Sequence, residues 1–130
     1  MPSAPETLLI PGPAGAIETD VQMPQGATRG IALIAHPNPV QGGTKDNKVV
    51  TTLARAFNSL GYVAVRPNFR GVGATEGIHD KGIGETADLI AVADYAMARF
   101  QIRPLLLAGF SFGCFVQTRV AKQLPCERMV

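Results

Sequence analysis

The chain has 130 residues, 46% of them apolar and 17% charged, enough for one domain with its own core and too apolar for a disordered segment. Twelve Lys and Arg against ten Asp and Glu leave a net charge of +2, too small and too scattered for an electrostatic nucleic-acid surface; without Trp, and with only two Tyr, a base-stacking platform is excluded too. No apolar run approaches the roughly 18 residues of a membrane span, and the start lacks the basic stretch and apolar run of a signal peptide. Cys114 and Cys126 supply neither a disulfide framework nor a zinc-ligand spacing with histidine. The expectation is a cytoplasmic protein with reduced thiols and neither a membrane nor a nucleic acid as partner.

Residues 7–10 and 16–21 read as short strands, and Pro11-Gly12-Pro13 between them as a turn, so an antiparallel pair is expected. Residues 31–35, Ile-Ala-Leu-Ile-Ala, form a continuous apolar run, the mark of a strand buried on both faces. A loop follows from His36 to Thr44. Asp46 or Asn47 can cap the next helix, in which Val50, Leu53, Phe57 and Leu60 recur at helical spacing and Gly61 provides a left-handed end. Residues 62–66 make the next strand, and a glycine-rich loop runs to Gly77. A second helix is predicted from about Gly84 to Phe100, with Leu89, Ala93, Ala96 and Phe100 as its stripe and Glu85 at its positive end. Residues 104–108 read as a third buried strand. A sharp turn leads to a last helix carrying Val116, Val120 and Leu124, stopped by Pro125.

This alternation predicts an α/β fold: a mostly parallel sheet with helices on both faces, preceded by antiparallel strands. Ligands of such sheets bind at the carboxyl ends of the strands. The loops beginning at His36, Asn68 and Gly109 all emerge there.

The last of these loops is Gly109-Phe110-Ser111-Phe112-Gly113, a G-x-S-x-G pattern between a buried strand and a helix. The turn is so tight that side chains at positions 109 and 113 would clash. Ser111 is thereby held in a strained conformation with its hydroxyl raised over the sheet edge. The N–H of Phe112, at the helix N-terminus, can meet a developing oxyanion. Ser111 is the candidate nucleophile.

With this motif the chain resembles the α/β-hydrolase superfamily, and most of all its small bacterial serine hydrolases of the dienelactone-hydrolase type. Two further segments carry the resemblance. His36-Pro37-Asn38-Pro39 is similar to the oxyanion loop His-Gly-x-Pro, with Pro37 in the glycine's place. Residues 68–75, Asn-Phe-Arg-Gly-Val-Gly-Ala-Thr, are similar to the family's Asp-x-Arg-Gly-x-Gly-x-Ser stretch. The resemblance implies a serine hydrolase acting on an ester or thioester bond of a small-molecule acyl substrate, with no metal and no organic cofactor. It implies the N–H of Asn38 as the second oxyanion donor, and Pro37 and Pro39 offer no N–H to compete with it. It makes His36 a residue that orients the loop. Arg70 is expected to brace its loop, with a substrate carboxylate as the alternative partner. His79 reads as a solvated loop histidine and Cys114 as a small packed residue.

The superfamily orders its triad Ser, then Asp or Glu, then His. The 19 residues after Ser111 contain Glu127 and no histidine. The expectation is therefore the N-terminal part of a hydrolase domain, with acid and base beyond Val130. It also follows that the strand at 104–108 has an unpaired edge, which invites self-association or a complementing chain. A non-catalytic module that binds through this edge is the alternative function. A dinucleotide site at Gly71-Val72-Gly73 is a third reading, weakened because the next glycine, Gly77, breaks G-x-G-x-x-G.

Overall fold

The computed structural model describes residues 4–130. Its strands are β1 (Glu6–Gly12), β2 (Gly15–Gln22), β3 (Gly30–Ala35), β4 (Tyr62–Pro67), β5 (Leu105–Gly109) and β6 (Arg128–Met129), and its helices α1 (Lys48–Ser59), α2 (Ile83–Phe100) and α3 (Phe112–Ala121). The strands form one sheet in the order β1-β2-β4-β3-β5-β6. β3 pairs in parallel with β4 and β5, and β2 joins the other side of β4 antiparallel. The α/β architecture expected from the sequence is thus present.

Alternation along β3 divides the core. Ile31, Leu33 and Ala35 face α2 and α3, packing with Leu89, Val92, Ala96, Val116 and Val120. Ala32 and Ile34 face α1, packing with Val50, Ala54 and Phe57. All six residues of β3 are buried, which is why the strand reads as an unbroken apolar run. Fully buried Gln117 ties α3 to the sheet by donating to the carbonyls of Leu33 and Ala108 at 2.8 and 2.9 Å.

Four details differ from the sequence reading. The hairpin turn is Pro13-Ala14, because β1 continues through Pro11 to Gly12 and pairs with β2 up to Gly15; an outermost strand tolerates a proline's missing N–H. Leu60 caps the end of α1 and is 55% exposed, while Ala54 and Asn58 take the inner face. α3 stops at Ala121, so Leu124 packs from the turn beyond it. The edge of β5 is also not bare: the turn after α3 lays residues 127–130 beside it. There Leu106 pairs with Arg128 and Leu107 with Met129, and the N–H groups of Glu127 and Val130 reach Leu105 and Leu107 at 2.7 Å.

The antiparallel side is anchored by buried charge. Asp20 on β2 accepts Thr7 Oγ1 at 2.7 Å and Lys45 Nζ at 2.9 Å, and Arg66 on β4 lies 3.4 Å away. Arg66 also donates to the Lys45 carbonyl at 2.6 Å. Burial by itself lowers the Lys45 pKa, but the hydrogen bond and charge of Asp20, with Asp46, outweigh it and the pKa is raised. The side chains of Asp20, Lys45 and Arg66 are 10%, 9% and 6% exposed, so each charge depends on the others. Asp20→Ala leaves Lys45 and Arg66 with only the exposed Asp46, 3.3 and 3.6 Å away, as counter-charge and is expected to cost about 3 kcal/mol, the low end for breaking a buried pair, read from urea unfolding; a loss below about 1 kcal/mol would show that the cluster behaves like a surface pair.

Candidate active site

Between β3 and β5 the chain direction across the sheet reverses: β4 lies on one side of β3 and β5 on the other. The loops after β3 and β5 therefore diverge and leave a crevice at the strands' carboxyl ends, the usual ligand position in open α/β sheets. The turn after β5 carries Ser111. Its backbone is at φ 59° and ψ −120°, a region that a residue with a side chain occupies only under constraint. The constraint is visible on both sides. A Cβ at Gly109 would come within 2.6 Å of the Cys114 nitrogen, and one at Gly113 would collide with the carbonyls of Ala35 and His36. Ser111 itself is exposed. The strained turn that the motif predicted is present, with both glycines needed where they stand.

Residues 36–43 form the facing loop. Asn38 begins a single 3-10 turn, Pro39–Gln41, and its side chain accepts from Val40 N–H at 2.9 Å. Its carbonyl accepts from Gln41 and Gly43. Among the described residues, neither the Asn38 N–H nor the Phe112 N–H donates to another group. The latter is one of the free donors of a helix start.

His36 is fully buried. Its Nδ1 donates to the Pro37 carbonyl at 2.7 Å and its Nε2 accepts from the Phe69 N–H at 2.9 Å. Both nitrogens are engaged, so the ring joins the loop after β3 to the loop after β4 and has no lone pair for a substrate. Burial lowers its pKa from 6.5 to about 4, against the opposing pull of the Pro37 carbonyl. Its edge meets Phe69 at 4.6 Å between centroids, and Phe69 meets Phe112 at 5.3 Å.

The loop after β4 is held just as firmly. Asn68 accepts the Lys45 N–H at 2.8 Å and donates to Glu18 Oε1 at 2.9 Å. The same carboxylate accepts the Ala74 N–H at 2.9 Å. The Gly71 and Val72 N–H groups go to the carbonyls of Thr75 and Phe69 at 3.1 and 3.0 Å, so with Ala74 on Glu18 most amides around Gly71-Val72-Gly73 are already engaged, which argues against a phosphate cradle there. Arg70 grips Asp88 of α2 through Nε at 2.8 Å and Nη2 at 2.9 Å, and its pKa is raised chiefly by that hydrogen bonding. It braces the loop, as expected. His79 differs from expectation. Its ring is 28% exposed and its buried Nδ1 lies 3.2 Å from Oε2 of Glu85, which is fully buried. The Glu18, Asp20–Lys45–Arg66 and His79–Glu85 contacts carry no signature in the sequence, since each joins segments that only the folded chain brings together.

No family model matches the chain. Among solved structures it is similar to an α/β serine hydrolase homologue from Coxiella burnetii, with 42% identity and a TM-score of 0.91 over 95% of this chain and 60% of that one. It is also similar to an α/β serine hydrolase without lid from Xanthomonas campestris, with 39% identity and a TM-score of 0.92 over 99% of this chain and 61% of that one. Among curated proteins, an uncharacterized protein of Rickettsia prowazekii is 35% identical over 115 residues, 88% of this chain and 48% of its own length. The lysophosphatidylserine lipase ABHD12 of Gallus gallus is 32% identical over 103 residues, 79% of this chain and 26% of its own length. The fold is that of an α/β hydrolase. The chain belongs to the α/β-hydrolase superfamily, and it spans about half the length of the first of these curated relatives or less. No helix among the described residues is long and apolar enough to cross a membrane.

Two outcomes follow from this geometry. Ser111→Gly relieves a strain of about 1–3 kcal/mol and returns about 0.4–1 kcal/mol of it through a freer unfolded chain. Thermal unfolding is expected to show a net gain near 1 kcal/mol, with none for Ser111→Ala. For His36, the native ring refuses a proton that the unfolded chain accepts below about pH 6.5. Its contribution is therefore complete above that pH and is lost as the pH falls towards 4. Between pH 7 and 4.5, denaturant unfolding should show the native protein losing roughly 2 kcal/mol more than His36→Gln; equal losses would mean that the ring is not buried as a neutral group.

Proposed function

We propose that this chain is the nucleophile-bearing part of a serine hydrolase that cleaves an ester or thioester bond of a small-molecule acyl substrate. The observation that carries the reading is the strained, exposed Ser111 between two glycines that admit no Cβ. The serine-hydrolase neighbours support the reaction class. The lipase named among the relatives, which acts on lysophosphatidylserine, supports an ester substrate.

In the proposed reaction Ser111 Oγ attacks the acyl carbonyl carbon and its proton passes to a base. The carbonyl oxygen becomes an oxyanion, met by the free N–H groups of Asn38 and Phe112. The C–O or C–S bond then breaks and the alcohol or thiol leaves with a proton. Water attacks the acyl-enzyme, releasing the acid and restoring Ser111. Residues 112–130 contain no histidine, so the in-order triad base is not among them. His36, Gly109, Gly113 and Arg70 shape the site without touching the reacting atoms.

A second reading rests on the outer edge of β6, which no strand covers among the described residues and where Met129 and Val130 are 41% and 56% exposed. A sheet edge of this kind accepts a further strand, from a second copy or from a complementing chain. The deciding experiment is covalent labelling by a fluorophosphonate of the gene product purified from its source cells. Labelling that disappears in Ser111→Ala supports the hydrolase. A correctly folded product that resists labelling supports a module working through its edge.

A further inference from the structure

A cavity of about 280 Å³ lies between the Asn38 loop and the loop after β4, walled by apolar Pro39, Val40, Val72 and Ile78 and by two polar side chains, Arg70 and His79. It is close to the lower end of small-molecule sites. Pro39 and Val40 immediately follow Asn38, and the His79 ring packs on Phe112, the residue after Ser111, at 5.5 Å between centroids. The cavity therefore adjoins the segments of the proposed reaction centre. The Arg70 charge is already matched by Asp88. Arg70 spends its Nε and Nη2 on Asp88 and the Gly84 carbonyl, whereas no hydrogen bond engages His79 Nε2 among the described residues.

The surroundings of His79 dictate its proton arrangement. Nδ1 is buried without an aligned hydrogen bond, and the nearest acceptor is Glu85 Oε2 at 3.2 Å. That carboxylate is fixed by the N–H groups of Asp80 at 2.8 Å and Gly82 at 3.0 Å. A bare nitrogen lone pair facing a buried carboxylate would be repelled, so Nδ1 carries the proton. In the neutral ring the other nitrogen, Nε2, is then an acceptor. It is bonded to nothing among the described residues and is not among the buried unpaired atoms. A carboxylate beside one ring nitrogen, with the other nitrogen unbonded, favours the tautomer in which the second nitrogen accepts a hydrogen bond.

We propose that His79, positioned by Glu85, is a specificity-determining residue that accepts a hydrogen bond from a hydroxyl on the acyl group, so that the substrate class is a hydroxylated acyl ester. This rests on the hydrolase reading for its reaction, but the binding step can be measured without it. In Ser111→Ala, which cannot form an acyl-enzyme, ethyl 3-hydroxybutyrate is expected to shift the His79 Nε2 nitrogen resonance, and ethyl butyrate is not. In the active gene product, kcat/KM for p-nitrophenyl 3-hydroxybutyrate should exceed that for p-nitrophenyl butyrate. His79→Phe should reduce this ratio about threefold to tenfold, the range of one neutral hydrogen bond. The loss should fall more on KM than on kcat for the hydroxybutyrate ester. Glu85→Gln should reduce the ratio in the same direction. An Nε2–H tautomer in the resting protein, a resonance unmoved by the hydroxy ester, or a preference that survives His79→Phe overturns the proposal. So does loss of all fluorophosphonate labelling in His79→Phe, which would make His79 a base for Ser111 instead. If labelling of Ser111 fails while the resonance still shifts, the hydrolase reading falls and the binding site stands.

Discussion

Gly113 lies against the carbonyls of Ala35 and His36 with no room for a Cβ, and the candidate site depends on that contact. It presses the first turn of α3 onto the end of β3. The turn from Gly109 to Gly113 must then close within a few residues, and Ser111 is left at φ 59°. Phe112 is turned towards the interior, where it meets Phe69 and His79. A larger residue at 113 would lift the helix from the strand and release all of these constraints together.

Around that contact, the loops are fixed by polar side chains from neighbouring elements and not by their own residues alone. His36 holds the Phe69 amide, Asn68 the Lys45 amide and Glu18 the Ala74 amide. Each bond crosses between elements distant in sequence. Loops held in this way place backbone donors with the precision of regular structure, and a site for developing charge needs such precision because donors that must reorganise lose much of their effect. Among the described residues the N–H groups of Asn38 and Phe112 are left without an acceptor.

What could be read from the sequence follows from what each element needs. β3 and β5 are buried on both faces, so their apolar runs are unmistakable, and the tight turn after β5 leaves two glycines around a serine. Weaker signals mark features that depend on context. Leu60 fits the helical period, but Gly61 ends the helix before Leu60 can reach the core. β6 is two residues long and polar at Arg128, and only its partner makes it a strand. The hairpin turn slipped because Pro11 looks like a breaker until β1 is known to be an outer strand. His79 looked solvated because Glu85 reaches it only once residues 80–84 have folded back to start α2. In each case the missing information was a contact between segments, which local pattern does not encode.

The Asp20 cluster also has a consequence for local unfolding. Asp20 belongs to the β1–β2 hairpin, Arg66 to β4, and Lys45 to the segment leading from the Asn38 loop into α1. The hairpin can detach only by exposing its carboxylate and leaving Lys45 and Arg66 with the exposed Asp46 as their remaining counter-charge. Opening of the sheet's antiparallel margin and loosening of the segment behind the Asn38 loop are therefore one cooperative event, so amide hydrogens in the two regions should share a single opening free energy. A hairpin on the far side of the sheet from Ser111 in this way keeps one wall of the crevice in place.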